Sequence, residues 1–201
     1  MSDQRISQNR LPALSRLECP ALLLIDRGGW LFRNVYFKPN LSVSGWHGLI
    51  LSPIEIAGLS KVGVKCLKDT SGNAPGFTEL VFGLSDQITA FNGWDTLTFY
   101  GLAAGSPGAV WGAANIIPEL AVELYEAVTV KGDLKRGREL WIKAWPICKF
   151  LESHNYAAAV KTGVELTGQS TGGLRKPFAL LRPELQDELK ALLKNAGLKT
   201  I

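Results

Sequence analysis

Gly63-Val64-Lys65-Cys66-Leu67-Lys68-Asp69-Thr70-Ser71-Gly72 is the stretch from which the rest of the chain can be read. An apolar run gives way to polar, turn-forming residues and a glycine. This predicts a short buried strand over residues 62–67, followed by a polar loop. Side chains alternate along a strand, so Val64, Cys66 and Lys68 share one face and Lys65, Leu67 and Asp69 the other. Lys68 lies at the C-terminal end of the strand, where parallel α/β barrels place their chemistry. Lys65 is mid-strand and is expected to run outward to water past the helices. Free lysine titrates near 10.4, so only about one amine in a thousand is neutral at pH 7. Burial in an apolar barrel mouth raises the neutral, nucleophilic fraction of a lysine. A neutral amine can attack a ketone, and the iminium it forms is an electron sink beside the α-carbon. The bland alternative is an exposed, inert lysine at a strand end, and these ten residues alone do not exclude it.

Upstream, Ser52-Pro53-Ile54-Glu55 has the form of a capping box with proline at the first helical position. A helix is therefore expected to start there, run through Ile56 and Leu59, and stop before Gly63. Downstream, residues 77–84 read as a short helix and residues 88–91 as a second strand closed by Asn92-Gly93. Residues 95–104 read as helical, with Asp95 available to cap. Residues 109–114, small and apolar, read as a third strand. Pro118 opens a helix that ends at Gly132, and Asp133 caps the next, which carries Leu140, Trp141, Trp145 and Phe150. A further helix covers about residues 156–166 and is ended by Gly168. The last is flanked by Pro183 and Gly197, with Leu185, Leu189, Leu192 and Leu193 on its buried face.

Alternating strands and helices are α/β grammar with parallel strands. Residues 50–132 are read as the βα part and residues 133–201 as a C-terminal helical domain. Residues 1–49 break the pattern. Residues 21–25 and 30–37 have strand-like composition, but no helical period joins them, and the region is left unassigned.

The composition is that of a globular chain: 201 residues, 46% hydrophobic, 20% charged, net charge +4. The densest basic cluster, Lys135, Arg136 and Arg138, reads as a solvated helix face, so no nucleic acid partner is expected. No apolar run in the first third is long enough to span a bilayer, and no membrane association is expected. Cys19, Cys66 and Cys148 form no CxxC pair and leave one cysteine over in any disulfide scheme, which fits a reducing cytoplasm. His47 and His154, the two histidines, do not make a metal site. Ser71 has no histidine near it in sequence and is expected to bond the loop backbone. The glycine-rich residues 101–112 lack both the P-loop and the dinucleotide pattern. Trp141 and Trp145, one turn apart, read as core or subunit contacts.

The string Lys68-Asp69-Thr70-Ser71-Gly72 resembles the Schiff-base strand of the dihydrodipicolinate synthase/N-acetylneuraminate lyase family, G-x-K-D-[ST]-[ST]-G. Further matches follow in order. Leu51-Ser52-Pro53 resembles the start of the preceding helix, and Asn92-Gly93-Trp94-Asp95 the family's G-x-D turn. Pro107-Gly108-Ala109-Val110 resembles the approach to the eighth strand, and Ala114-Asn115-Ile116-Ile117-Pro118 its A-N-x-x-P exit. Residues 161–168 and 173–177 resemble the K-x-x-L-x-x-x-G and R-x-P pattern of the C-terminal helices. The resemblance covers residues 50–197.

It implies the C-terminal portion of a (β/α)8 TIM barrel, about strands 6–8, followed by a helical domain. It implies a class I, Schiff-base-forming lyase or aldolase that condenses or releases pyruvate or a related 2-keto acid with an aldehyde. Lys68 would be the Schiff-base lysine, with no cofactor and no metal. Gly93 and Val110 would lie near the bound keto acid through their backbones, while Asp69 would be structural. The default is 4-hydroxy-tetrahydrodipicolinate synthesis for lysine biosynthesis; a 2-keto-3-deoxy sugar acid aldolase or an N-acetylneuraminate lyase-like member is the alternative. Trp94 and Trp111 at the site rim would favour a less usual substrate. Full-length members are homo-oligomers, typically tetramers. Two family features, a Gly-Thr-Thr-Gly-Glu loop and a tyrosine before Asn-x-Pro, do not occur here. Five βα units of about thirty residues do not fit into 49 residues. The expectation is thus a truncated chain whose first residues, 1–49, are out-of-frame or unrelated, with a catalytically inactive remnant as the rival to an active enzyme.

Overall fold

In the computed structural model the described residues are 51–201, with the backbone of three short upstream strands: Ile25–Asp26 (β1), Gly29–Trp30 (β2) and Leu41–Val43 (β3). The chain divides into two compact units, residues 1–38 and 39–201. In the first, β1 and β2 pair antiparallel, with Ile25 opposite Trp30. Cys19 and His47 lie outside the described residues.

The second unit opens as its sequence dictates. The Ser52 hydroxyl accepts the Glu55 N–H at 3.3 Å, and the Glu55 carboxylate accepts the Ser52 N–H at 2.8 Å. This closes the expected capping box ahead of α1 (Pro53–Gly58). The helix tightens into a 3-10 turn, Leu59–Val62, and Gly63 ends it at φ 96°. That left-handed backbone suits glycine and penalises any side chain. Val62 is thereby spent on the helix, so β4 (Cys66–Asp69) starts later than the apolar run suggested. The next helix, α2 (Ala74–Thr78), begins three residues early because Asn73 Oδ1 accepts the Gly76 N–H at 3.1 Å. It continues into a π-type turn, Glu79–Gly83. Then come β5 (Thr89–Asn92), a 3-10 turn (Asp95–Leu97) and α3 (Thr98–Ala103).

β3, β4 and β5 form a parallel sheet in that order, with Lys68 between Ser42 and Phe91. β3 lies inside the stretch that the sequence left unassigned. The third strand expected over residues 109–114 is not formed. Only an isolated parallel bridge joins Asn92 to Ala109, carried by Asn92 N–H to Gly108 O (3.3 Å) and Val110 N–H to Asn92 O (2.7 Å). Gly112–Asn115 is instead a 3-10 turn. Its glycine and alanines offer little to a pleated surface, and its first N–H groups are bonded elsewhere, as described below.

The helical part follows the sequence closely: α4 (Pro118–Tyr125) with a π-type extension (Glu126–Val130), α5 (Leu134–Glu152), α6 (Tyr156–Leu166) and α7 (Pro183–Asn195). Asp133 caps α5, accepting the Arg136 N–H at 2.9 Å. The Lys161 amine donates to the carbonyls of Thr171 and Gly173 and ties the following loop to α6. Two cores result. Leu67, Phe77, Leu80 and Ile88 are buried between sheet and helices. Ile116, Ile117, Ile147, Leu151, Leu189 and Leu193 are buried where α5, α6 and α7 meet the residues after the bridge. Leu151 is fully enclosed, so Leu151→Ala is expected to cost about 2–5 kcal/mol, read as a lowered denaturation midpoint in urea.

Cys148 is a free, fully buried thiol, whereas Cys66 is disulfide-bonded. Among the described residues no helix is long and apolar enough to cross a membrane.

Candidate active site

β4 and the loop after β5 bring two of the sequence-predicted residues into contact. Lys68 is half-buried at the strand's C-terminal end, whereas Lys65 is exposed, as strand alternation required. A Cβ placed on Gly93 would stand 2.7 Å from Lys68 Cε, 2.8 Å from Lys68 Cγ and 2.6 Å from Thr70 Oγ1. The lysine stem and the threonine hydroxyl therefore lie directly across the Gly93 α-carbon. Gly93 is fixed there by its N–H, which donates to Asp69 O at 2.7 Å. Among the described residues no hydrogen bond or ion pair engages the Lys68 amine. Val110 is one step removed: its N–H is held by the carbonyl of Asn92, the residue before Gly93.

The supporting residues are tied down. The Asn92 side-chain amide donates to Trp94 O (2.8 Å) and Thr98 Oγ1 (3.1 Å). The buried Ser106 hydroxyl bonds the carbonyls of Ala90 and Gly108, each at 2.8 Å. Asp69 is buried, and its Oδ1 accepts the Ser71 N–H at 2.8 Å, in keeping with a structural role. Ser71 Oγ in turn accepts the Asn73 N–H at 3.1 Å, the loop-backbone bond expected of it.

The sequence reading passed over Thr70. Its hydroxyl is buried with no hydrogen-bond partner in the described chain. A buried, unpaired hydroxyl costs free energy unless something else fills the need. The signal was present in the sequence, since Thr70 lies two residues beyond Lys68 and keeps its strand parity.

Asp95 was read as a helix cap, and the structure corrects this. Its carboxylate accepts the Ala113 N–H (2.9 Å), the Gly112 N–H (3.3 Å) and the Tyr156 O–H (2.8 Å). The Tyr156 oxygen itself accepts the Gly112 N–H at 2.8 Å. Burial raises the Asp95 pKa, against the pull of these bonds and of the positive charge on Lys68. Burial first, then the Asp95 charge, pushes the Tyr156 hydroxyl up. Burial also raises Glu152, whose carboxylate accepts the Thr96 N–H (2.9 Å) and hydroxyl (2.8 Å). Cys148 is pushed up by burial and then by Asp95 and Glu152, so it stays a thiol and not a nucleophile.

Of the tryptophans placed at the rim, Trp111 packs instead against Trp141, with ring centroids 6.2 Å apart, on the helical core. Trp94 lies against Gly72 and donates its indole N–H to Thr96 Oγ1 at 3.0 Å. Trp141 also stacks on Phe99, while Trp145 is exposed with the Lys149 amine over its ring. His154 bonds the Phe150 carbonyl at the end of α5. No cluster of three metal-ligating side chains occurs among the described residues.

The family model described as the dihydrodipicolinate synthetase family matches residues 40–196. The 4-hydroxy-tetrahydrodipicolinate synthase of Methanopyrus kandleri is 33% identical over 156 residues, covering 75% of this chain and 51% of that protein. The enzyme of the same name from Thermomicrobium roseum is 34% identical over 130 residues, covering 65% and 43%. The crystal structure of a putative dihydrodipicolinate synthetase from Pseudomonas aeruginosa superposes with a TM-score of 0.73 at 26% identity, covering 78% of this chain and 55% of that one. The fold is thus the expected C-terminal portion of a (β/α)8 barrel with its following helices. The chain spans about half the length of the relatives it matches.

Proposed function

Because the chain belongs to the dihydrodipicolinate synthetase family, we propose that its Lys68 forms a Schiff base with the keto carbon of pyruvate or a related 2-keto acid. The neutral amine adds to the carbonyl, water leaves, and an iminium remains. Loss of a proton from the neighbouring carbon to a base or water then gives an enamine, which attacks the carbonyl carbon of an aldehyde; the aldehyde oxygen takes up a proton, and water adds to the new iminium to free the product and the Lys68 amine. Release runs the same steps backward. No resident cofactor is needed, because the iminium itself takes up the electron pair. The observation that carries this reading is the passage of the Lys68 stem over Gly93 at the exit of a parallel strand, beside the Thr70 hydroxyl, which has no hydrogen-bond partner among the described residues.

Within the family, 4-hydroxy-tetrahydrodipicolinate synthesis is the preferred activity, supported by relatives of that name at 33% and 34% identity. The cytoplasm, where free 2-keto acid is met, is part of the same reading, and fractionation checks it. A second reading, a remnant without activity, is favoured by one observation. Among the described residues only three short parallel strands and a bridge are present, too few to close a barrel.

Borohydride trapping separates the two. Incubation with pyruvate followed by reduction should add to Lys68 the mass of pyruvate less one oxygen atom, since one water is lost and two hydrogens are gained. A folded chain that takes up no such mass is the remnant. Thr70→Val offers a finer check. It should leave stability unchanged or raise it by about 1 kcal/mol, since no bond to the hydroxyl is lost. It should nonetheless slow trapping several-fold if that hydroxyl serves the keto acid.

A further inference from the structure

We infer that Tyr156, the first residue of α6, is a positioning residue that sets the spacing between the loop carrying Gly93 and the loop carrying Val110. What is positioned rests on the Schiff-base reading; the clasp itself does not. Asp95 lies two residues beyond Gly93, and Gly112 two residues beyond Val110. The Tyr156 oxygen touches both, donating to Asp95 Oδ1 at 2.8 Å and accepting from the Gly112 N–H at 2.8 Å. Asp95 closes the ring with its own bonds to Gly112 and Ala113. One hydroxyl thus links three segments that are far apart in sequence.

Two further observations favour positioning over packing. A tyrosine serving as filler buries its ring and leaves its hydroxyl wet. Tyr156 does the reverse: the residue is 39% exposed, while its hydroxyl turns inward to a carboxylate that is 3% exposed. Gly112 also leaves no room for a side chain, because a Cβ there would run into the Tyr156 hydroxyl. The same loop is gripped a second time from the helical part, where Glu152 of α5 takes both the N–H and the hydroxyl of Thr96. Of the two helical side chains, Tyr156 and Glu152, it is Tyr156 that also bonds the loop carrying Val110, through the Gly112 N–H. The helices after residue 133 are therefore part of the site's construction and not an appendix to it.

Tyr156→Phe removes the oxygen and keeps the ring. Amide exchange should quicken at residues 94–97 and 110–113 and stay unchanged at β4. In borohydride trapping, the pyruvate concentration giving half the maximal rate should rise roughly tenfold, as befits losing a bond to a charged group. The final yield of adduct should not change. Gly112→Ala, which wedges the same contact while leaving Tyr156 and Asp95 intact, should act in the same direction and stands in if the phenylalanine chain folds poorly. Unchanged exchange and half-saturation within twofold would overturn the proposal. So would a fall in adduct yield at constant half-saturation, which is the mark of partial unfolding alone. If the unaltered chain forms no adduct, the Schiff-base reading fails, and the exchange experiment decides the clasp by itself.

Discussion

Lys68→Arg should form no reduced pyruvate adduct above background. Arginine keeps the positive charge and a similar reach, but its neutral fraction at a given pH is lower by about a hundredfold or more, and it does not serve as an amine nucleophile. No hydrogen bond or ion pair among the described residues holds the Lys68 amine, and arginine keeps the charge that acts on Asp95, so circular dichroism and the urea midpoint should stay close to those of the unaltered chain. Lys65 supplies the internal control. It is exposed and would be labelled in both chains by any unspecific reductive coupling. Peptide mapping that finds the adduct on Lys65 at equal levels in both chains, and none on Lys68, would remove the catalytic assignment altogether.

The parts of this fold that were legible in the sequence are those governed by neighbours in the chain. Ser52 and Glu55 cap α1 because they are three residues apart, and Gly63 ends that turn because of its own backbone. Lys65 and Lys68 diverge because a strand alternates. Each outcome is decided within a few residues, so spacing alone reveals it. What was missed depends on partners far away. Asp95 looks like a cap when read locally, yet its bonds go to Gly112, Ala113 and Tyr156, the last 61 residues on. Residues 109–114 look like a strand, but the N–H groups of Gly112 and Ala113 are drawn off by that same carboxylate. β3, three residues long, is too short for any period to show. Thr70 was overlooked for a different reason: its lack of a partner is a property of the packed surroundings, invisible until they are assembled.

Gly93→Ala is expected to lower the rate of pyruvate trapping by tenfold or more (order of magnitude) while costing about 1–3 kcal/mol of stability. Gly93 does not adopt a left-handed backbone, so alanine meets no conformational barrier and space alone decides the result. The added methyl would fall within 3 Å of three atoms: Lys68 Cε, Lys68 Cγ and Thr70 Oγ1. The two side chains respond differently. Thr70 is β-branched and stiff about its first torsion, and its hydroxyl is already buried, so it has little room to yield. Lys68 is flexible and must give way, which carries the amine off the line it holds across the glycine. Pairing the change with Thr70→Ala separates the effects. Removing the threonine oxygen should recover part of the lost stability, yet trapping should stay low, because the methyl still occupies the path of the lysine stem. A Gly93→Ala chain that traps pyruvate at the original rate would mean that the working amine does not cross residue 93, and the site drawn around that crossing would have to be given up.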